Sequence, residues 1–246
     1  MFKLVLIFLT AKTKYYYDKR IHNLGNTGLG GQLHSKLAPY ATKLIDDKCY
    51  NSVNIRQAIL SNYHQEFYKV HERLPKLIDL CCGTGYSTAA NQIGIDTSDA
   101  MLSAAQATLS AAQATLSQAL KKQQKNKDIT KTQFIKGNAE NYGKSEEFDT
   151  ATLMFAFHEM PNYAHHKIIK NAKRITTHDI IIVDISPNYS PSLLMLSGEP
   201  YLLNYKATIA KILEQHQFNY FEYIPKHVGL WTYSHTKQNP LVIQKP

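Results

Sequence analysis

The 246-residue sequence predicts a three-layer α/β sandwich: a mostly parallel seven-stranded sheet with an antiparallel hairpin at its C-terminal edge and a helical cap before its first strand. Three observations predict it. From Lys76 onward, short runs rich in Ile, Leu and Phe alternate with longer segments of helical period, the signature of a parallel sheet covered on both faces. The last two apolar runs have no helix between them and therefore pair as a hairpin. Finally, the first run ends in the turn Cys82-Gly83-Thr84-Gly85, where a strand of such a sheet hands over to a ligand.

Two stretches of helical period precede the sheet, at about 34–47 and 54–72. The first carries Leu37, Ala41, Leu44 and Ile45 on one face. Before them, the glycine-dense segment 23–31 reads as a loop with several left-handed positions. Residues 1–75 are thus an N-terminal segment and cap, and 76–246 the core. Strands are expected at 77–81, 92–96, 132–135, 148–155, 179–184, 218–224 and 230–235, with helices at 98–125, 162–174 and 201–215. Within the first of these helices, Ser103–Leu109 is repeated unchanged as Ser110–Leu116. Seven residues are close to two turns, so the duplication lengthens the helix by about 10 Å with its buried face nearly kept.

Composition narrows the function classes. With 43% hydrophobic and 19% charged residues the chain is neither disordered nor fibrous. Of three cysteines, Cys81 and Cys82 are adjacent, so they neither staple distant elements nor form a C-x-x-C zinc pair, and a reducing, cytoplasmic setting is expected. The apolar run Met1–Leu9 is too short to span a bilayer and lacks a cleavage pattern, so it is expected to be buried or to touch a membrane. No integral membrane association is expected. The net charge of +9 is spread out except at Lys121, Lys122, Lys125, Lys127 and Lys131, which read as a solvated helix end.

The glycines at 83 and 85 let the backbone approach a ligand, but the third glycine of a dinucleotide fingerprint is replaced by Thr88. Asp79 adds a carboxylate where a pyrophosphate would be repelled and a cation welcomed. Further along stand Gly94-Ile95-Asp96 at the end of strand two, Gly137-Asn138-Ala139-Glu140 after strand three, and Phe148-Asp149 opening a strand that runs into Phe155-Ala156-Phe157-His158-Glu159-Met160-Pro161. Together, in this order, these motifs resemble the class I S-adenosylmethionine-dependent methyltransferases of small-molecule type, over roughly 77–184.

The resemblance implies a Rossmann-like fold and S-adenosylmethionine as cofactor. It implies that Asp79 faces the methionine amino group, that Gly83 and Gly85 pass beneath the cofactor, that Asp96 takes the ribose hydroxyls and that Asn138 receives the adenine amino group. Cys81, Thr97, Met101, Ala139, Glu140 and Phe155 complete the implied cofactor wall. His158 is the candidate general base, with Glu159 orienting it or serving instead, because imidazole titrates near neutrality. His158 could equally cap the following helix. Tyr15, Tyr17 and His22 could form a lid; Tyr201, Tyr205 and Trp231 could line an apolar pocket or belong to the core, and Asp184 could face substrate or cap a loop. Apart from the cofactor wall, Cys81 and Cys82 read as packing residues. No metal site is expected.

One spacing departs from the pattern. Asp96 follows Gly83 by 13 positions, against roughly 20 in nucleotide-binding βαβ units, so the first crossover is expected to hold a helix of only a turn or two near 86–91. The acceptor is expected to be a small or medium-sized molecule. Alternatives are an RNA-binding or RNA-methylating protein, whose affinity falls steeply with salt, and a catalytically silent cofactor-binding module.

Overall fold

A computed structural model describes residues 14–120 and 132–236. The apolar run Met1–Leu9, the lysine run beginning at Lys121 and the predicted helical extension to 125 lie outside the described residues.

Two helices come first, α1 (Gly28–Cys49) and α2 (Ile55–His71). The core then runs β1 (Leu77–Leu80), β2 (Ile93–Asp96), α3 (Asp99–Leu120), β3 (Gln133–Lys136), β4 (Phe148–Met154), α4 (Asn162–Ile175), β5 (Thr176–Ile185), α5 (Leu193–Gly198), α6 (Leu202–Gln215), β6 (Asn219–Ile224) and β7 (Val228–Ser234). The sheet order is β3-β2-β1-β4-β5-β7-β6. The first five strands are parallel; β7 runs antiparallel between β5 and β6. Order reverses beside β1, the switch point at which open α/β sheets form a crevice beyond their strand ends.

The two faces of β5 show how the layers are sealed. Ile180 and Ile182 pack with α4 and α6, while Ile181 and Val183 pack with Ile55, Ile59, Tyr63 and Phe67 of α2. Period-2 alternation in an unbroken apolar strand thus feeds two cores. The predicted cap helix α2 is in fact a covering layer of the sheet. Arg73, just past its end, pins it with a two-pronged pair to Asp149 of β4, at 2.6 and 2.8 Å.

Three expectations are corrected. The glycine-dense segment is a loop only as far as Thr27, with the expected left-handed backbone at Asn23 and Gly25; from Gly28, itself left-handed, it is the start of α1, and a Cβ on Gly30 would lie 1.9 Å from the Leu24 carbonyl oxygen. Close approach requires the glycine there. The apolar face of α1 also points outward, with Leu37 and Leu44 exposed, while Gly31, His34, Ser35 and Asp46 are its buried residues. Third, the first crossover holds no helix. Residues 81–92 form successive turns, because Ser87 and Thr88 spend their hydroxyls on the Asp79 carboxylate (2.8 and 2.6 Å) and the Gln92 side chain accepts the Ala89 N–H. Such local side-chain bonds compete with a helix. Both seven-residue units lie on the backbone of α3. Among the described residues no helix is long and apolar enough to cross a membrane.

Candidate active site

Beyond the ends of β1, β2, β3 and β4 lies a cavity lined by residues of all four strand exits and of the N-terminal segment. Its floor is the turn after β1. Cys81, Gly83 and Gly85 all hold left-handed backbone, at φ +63°, +53° and +76°. The two glycines do different jobs. A Cβ on Gly83 would meet nothing within 4 Å and would project into open space, whereas one on Gly85 would strike the Phe134 ring at 2.6 Å and Ala105 at 3.1 Å. Gly83 therefore faces the cavity and Gly85 packs beneath it against β3 and α3.

Asp96 sits at the end of β2 on the cavity wall. Its carboxylate accepts the Gly83 N–H at 3.0 Å and the Ser98 N–H at 2.8 Å, which ties the glycine turn to the start of α3. Desolvation in the cleft outweighs these donors and pushes its pKa up to about 6. Thr97, Met101, Asn138 and Ala139 line the cavity beside it. The Asn138 side-chain oxygen accepts the Glu140 N–H at 2.9 Å, while Glu140 itself turns away to Lys167. Phe155 closes another side with its backbone at φ +56° and the Arg56 guanidinium 4.2 Å above its ring.

Asp79 is not on the cavity wall. It is buried behind the turn with its carboxylate satisfied by Ser87, Thr88 and Thr152, and burial raises its pKa. Of the expected cofactor residues, the structure brings Cys81, Gly83, Asp96, Thr97, Met101, Asn138, Ala139 and Phe155 together around the cavity, and leaves Asp79, Gly85 and Glu140 outside it.

His158 is placed differently from the expected cavity-facing base. It is buried on the short 3-10 turn Phe157–Glu159, its Nδ1–H donating to Asp184 at 2.6 Å, and that carboxylate also accepts the Phe157 and His158 N–H groups. Burial works against its charge, but Asp184 prevails and raises its pKa to about 9. It is a locked cation that holds the loop after β4 to β5.

Glu159 does line the cavity, bonded to His22 of the N-terminal segment at 2.9 Å. The other ring nitrogen of His22 meets Glu199 at 2.8 Å, so one imidazolium is clamped between two carboxylates. Despite burial, these partners raise His22 to about 11, and against its own burial Glu159 is held at about 2 by His22. Gly198 lets this contact close: a Cβ there would lie 3.2 Å from the His22 Cα.

Of the anticipated lid residues, Tyr15 lines the cavity, His22 sits behind it and Tyr17 points to solvent. Gly137, Ala156 and Met160 of the quoted motifs and Asn26 of the glycine-dense segment also line it, as do Tyr16, Ile21 and His34, which carried no signal beyond the Tyr15-Tyr16-Tyr17 run. Tyr205 and Trp231 belong to the core, and Tyr201 donates to Asp18, tethering the N-terminal segment at 2.9 Å.

An S-adenosyl group fits these residues. The bare face of Gly83 is a cradle that any side chain would fill, the Asp96 carboxylate is held at the rim where vicinal hydroxyls can reach it, and Met101, Ala139 and Phe155 supply apolar walls. Among the described residues no cluster of His, Cys, Asp and Glu is arranged to hold a metal ion.

Residues 78–183 match the family model described as a methyltransferase domain. The chain is similar to the magnesium protoporphyrin IX methyltransferase of Synechocystis, solved with S-adenosylhomocysteine bound, at 16% identity and TM-score 0.50 over 75% of this chain and 84% of that one. It is also similar to an S-adenosylmethionine-dependent methyltransferase from Aquifex aeolicus (14% identity, TM-score 0.49, 80% and 98% covered). A plantazolicin methyltransferase in complex with S-adenosylhomocysteine shows 13% identity and TM-score 0.49, with 83% and 99% covered. No curated protein sequence matches the chain significantly.

Proposed function

We propose that this chain, whose residues 78–183 match a methyltransferase-domain model, is an S-adenosylmethionine-dependent methyltransferase of class I type that methylates a small or medium-sized acceptor held between the cavity and its N-terminal segment. When bound, the cofactor supplies a methyl carbon already activated by a sulfonium. The protein's work is then alignment and exclusion of water. Gly83 and Asp96 hold the ribose, with Thr97, Met101, Asn138 and Ala139 around the adenine. Cys81 and Phe155 border the methionine end. Tyr15, Tyr16 and Ile21 cover the site from the N-terminal side, kept there by the His22 clamp to Glu159 and Glu199.

The observation that carries this reading is the pairing of the uncovered Gly83 with the Asp96 carboxylate on one cavity wall. The carboxylates of Asp96 and Glu159 also make the cavity a poor place for a phosphate backbone, which weighs against a nucleic-acid acceptor. Free thiols at Cys49, Cys81 and Cys82 suit a reducing compartment such as the cytoplasm. The test is a screen of fractionated metabolites with isotopically labelled S-adenosylmethionine. A product heavier by one labelled methyl group is expected; tight cofactor binding with no transfer to any fraction would instead identify a silent binding module.

A further inference from the structure

Building on that reading, we propose that His34 is the catalytic proton acceptor, its Nε2 taking the proton from an acceptor O–H or N–H as that atom bonds to the methyl carbon. The cavity wall itself narrows the choice. Its titratable side chains are Tyr15, Tyr16, His34, Cys81, Asp96 and Glu159. Phenols and thiols hold their protons in neutral water as a class, and burial raises Tyr15 and Cys81 further. Asp96 is committed to the Gly83 and Ser98 N–H groups, and Glu159 to His22. His158, the base expected from the sequence, is off the wall and locked to Asp184.

His34 differs from all of these. Its Nδ1 lies 2.9 Å from the Asn26 side-chain oxygen and is assigned the ring hydrogen as donor to that oxygen, which leaves the lone pair on Nε2. Its ring stands 4.3 Å from that of His22. Burial first, and then the charge of His22, lower its pKa, while Glu159 and the Gly25 carbonyl pull the other way. The imidazole is therefore neutral when the acceptor arrives. In the transfer, the acceptor atom forms its bond to the methyl carbon, the sulfur–carbon pair stays on sulfur as a thioether, and the acceptor's proton moves to Nε2. The facing Glu159 offsets the new charge, and His22 drives the proton off to solvent afterwards. The acceptor class follows: a phenol, enol or similar group that still holds its proton at neutral pH, rather than a thiolate or carboxylate.

The full chain with 15N-labelled histidine and bound S-adenosylhomocysteine provides the test by NMR, the His34 signals being identified by their loss in His34→Gln and, as a second variant, His34→Asn. A neutral ring protonated on Nδ1 at neutral pH is expected; an imidazolium, or hydrogen on Nε2, overturns the assignment. With phenol and thiophenol as probes at about pH 8, where only the thiol is ionised, His34→Gln should slow transfer to phenol by about a hundredfold and to thiophenol less than about twofold. Equal losses overturn it. Saturable binding of S-adenosylhomocysteine separately tests the cofactor site, and its absence would overturn that site rather than the role of His34.

Discussion

Lowering the pH should weaken S-adenosylhomocysteine binding through a single carboxylate. Asp96 in the empty protein has its pKa pushed up to about 6 by desolvation in the cleft. Only its ionised form accepts two ribose hydroxyls while still accepting the Gly83 and Ser98 N–H groups. The ionised fraction is nearly complete at pH 7.5 and roughly a tenth at pH 5, so the Kd should rise about tenfold, or ~1.4 kcal/mol. The sign for stability is opposite. A carboxyl whose folded-state pKa lies above its unfolded value favours the fold when protonated, below the unfolded value, and that contribution is lost as pH rises through about 6. At neutral pH the empty protein therefore bears a cost of up to ~3 kcal/mol that the ligand's hydroxyls offset, and the ligand-induced rise in Tm should be larger at pH 7.5 than at pH 5. Calorimetric titration across this range checks it, with Asp96→Asn as control. An equal Kd at both pH values, or the same pH dependence in Asp96→Asn, refutes the assignment.

Other substitutions separate binding from folding. Gly83→Ala, with space for its methyl group but a left-handed backbone, should cost about 1 kcal/mol of stability and weaken S-adenosylhomocysteine binding at least tenfold. Gly85→Ala should instead lower stability by about 2–3 kcal/mol, because Phe134 must move, and chemical denaturation of the two variants compares them directly. Asp79→Asn replaces one of the two oxygens that accept the Ser87, Thr88 and Thr152 hydroxyls with an NH2 donor and should cost about 2–3 kcal/mol, with ligand Kd changed less than about threefold; a large loss of affinity at full stability would restore Asp79 to the amino group. His158, raised to about 9 by Asp184, contributes stability that is complete below about pH 6.5 and lost as pH rises through 9. Tm should accordingly fall between about pH 7 and 10 in the wild type, and that slope should flatten in His158→Gln.

The sheet was legible because its strands are continuous apolar runs whose two faces are both covered, as Ile180 to Val183 illustrate. Gly83, Asp96 and Asn138 were legible as cavity residues for a related reason: each sits at a strand exit, so the order of motifs along the chain is also their order around the cleft. What could not be read depends on contacts between distant segments. The partners of the His22 clamp, Glu159 and Glu199, stand far along the chain, so although His22 read as a lid residue and Glu159 as a companion of His158, nothing local pairs the three. Asp184 converts His158 from a plausible base into a locked cation across 26 positions. The turn-only crossover was missed because Ser87 and Thr88 find Asp79, which no helical period reports. In α1 the pattern misled, since the apolar face that normally seeks a core is outward here and His34 is the side turned in.

Backbone hydrogen exchange of the full chain with and without S-adenosylhomocysteine tests the central claim most directly. Slowed exchange is predicted at Gly83, across Asp96 to Met101, at Asn138 and Ala139, and in the covering segment from Tyr15 to Ile21. No slowing at saturating ligand, or slowing confined to residues away from this cavity, would contradict the assignment of the cofactor site.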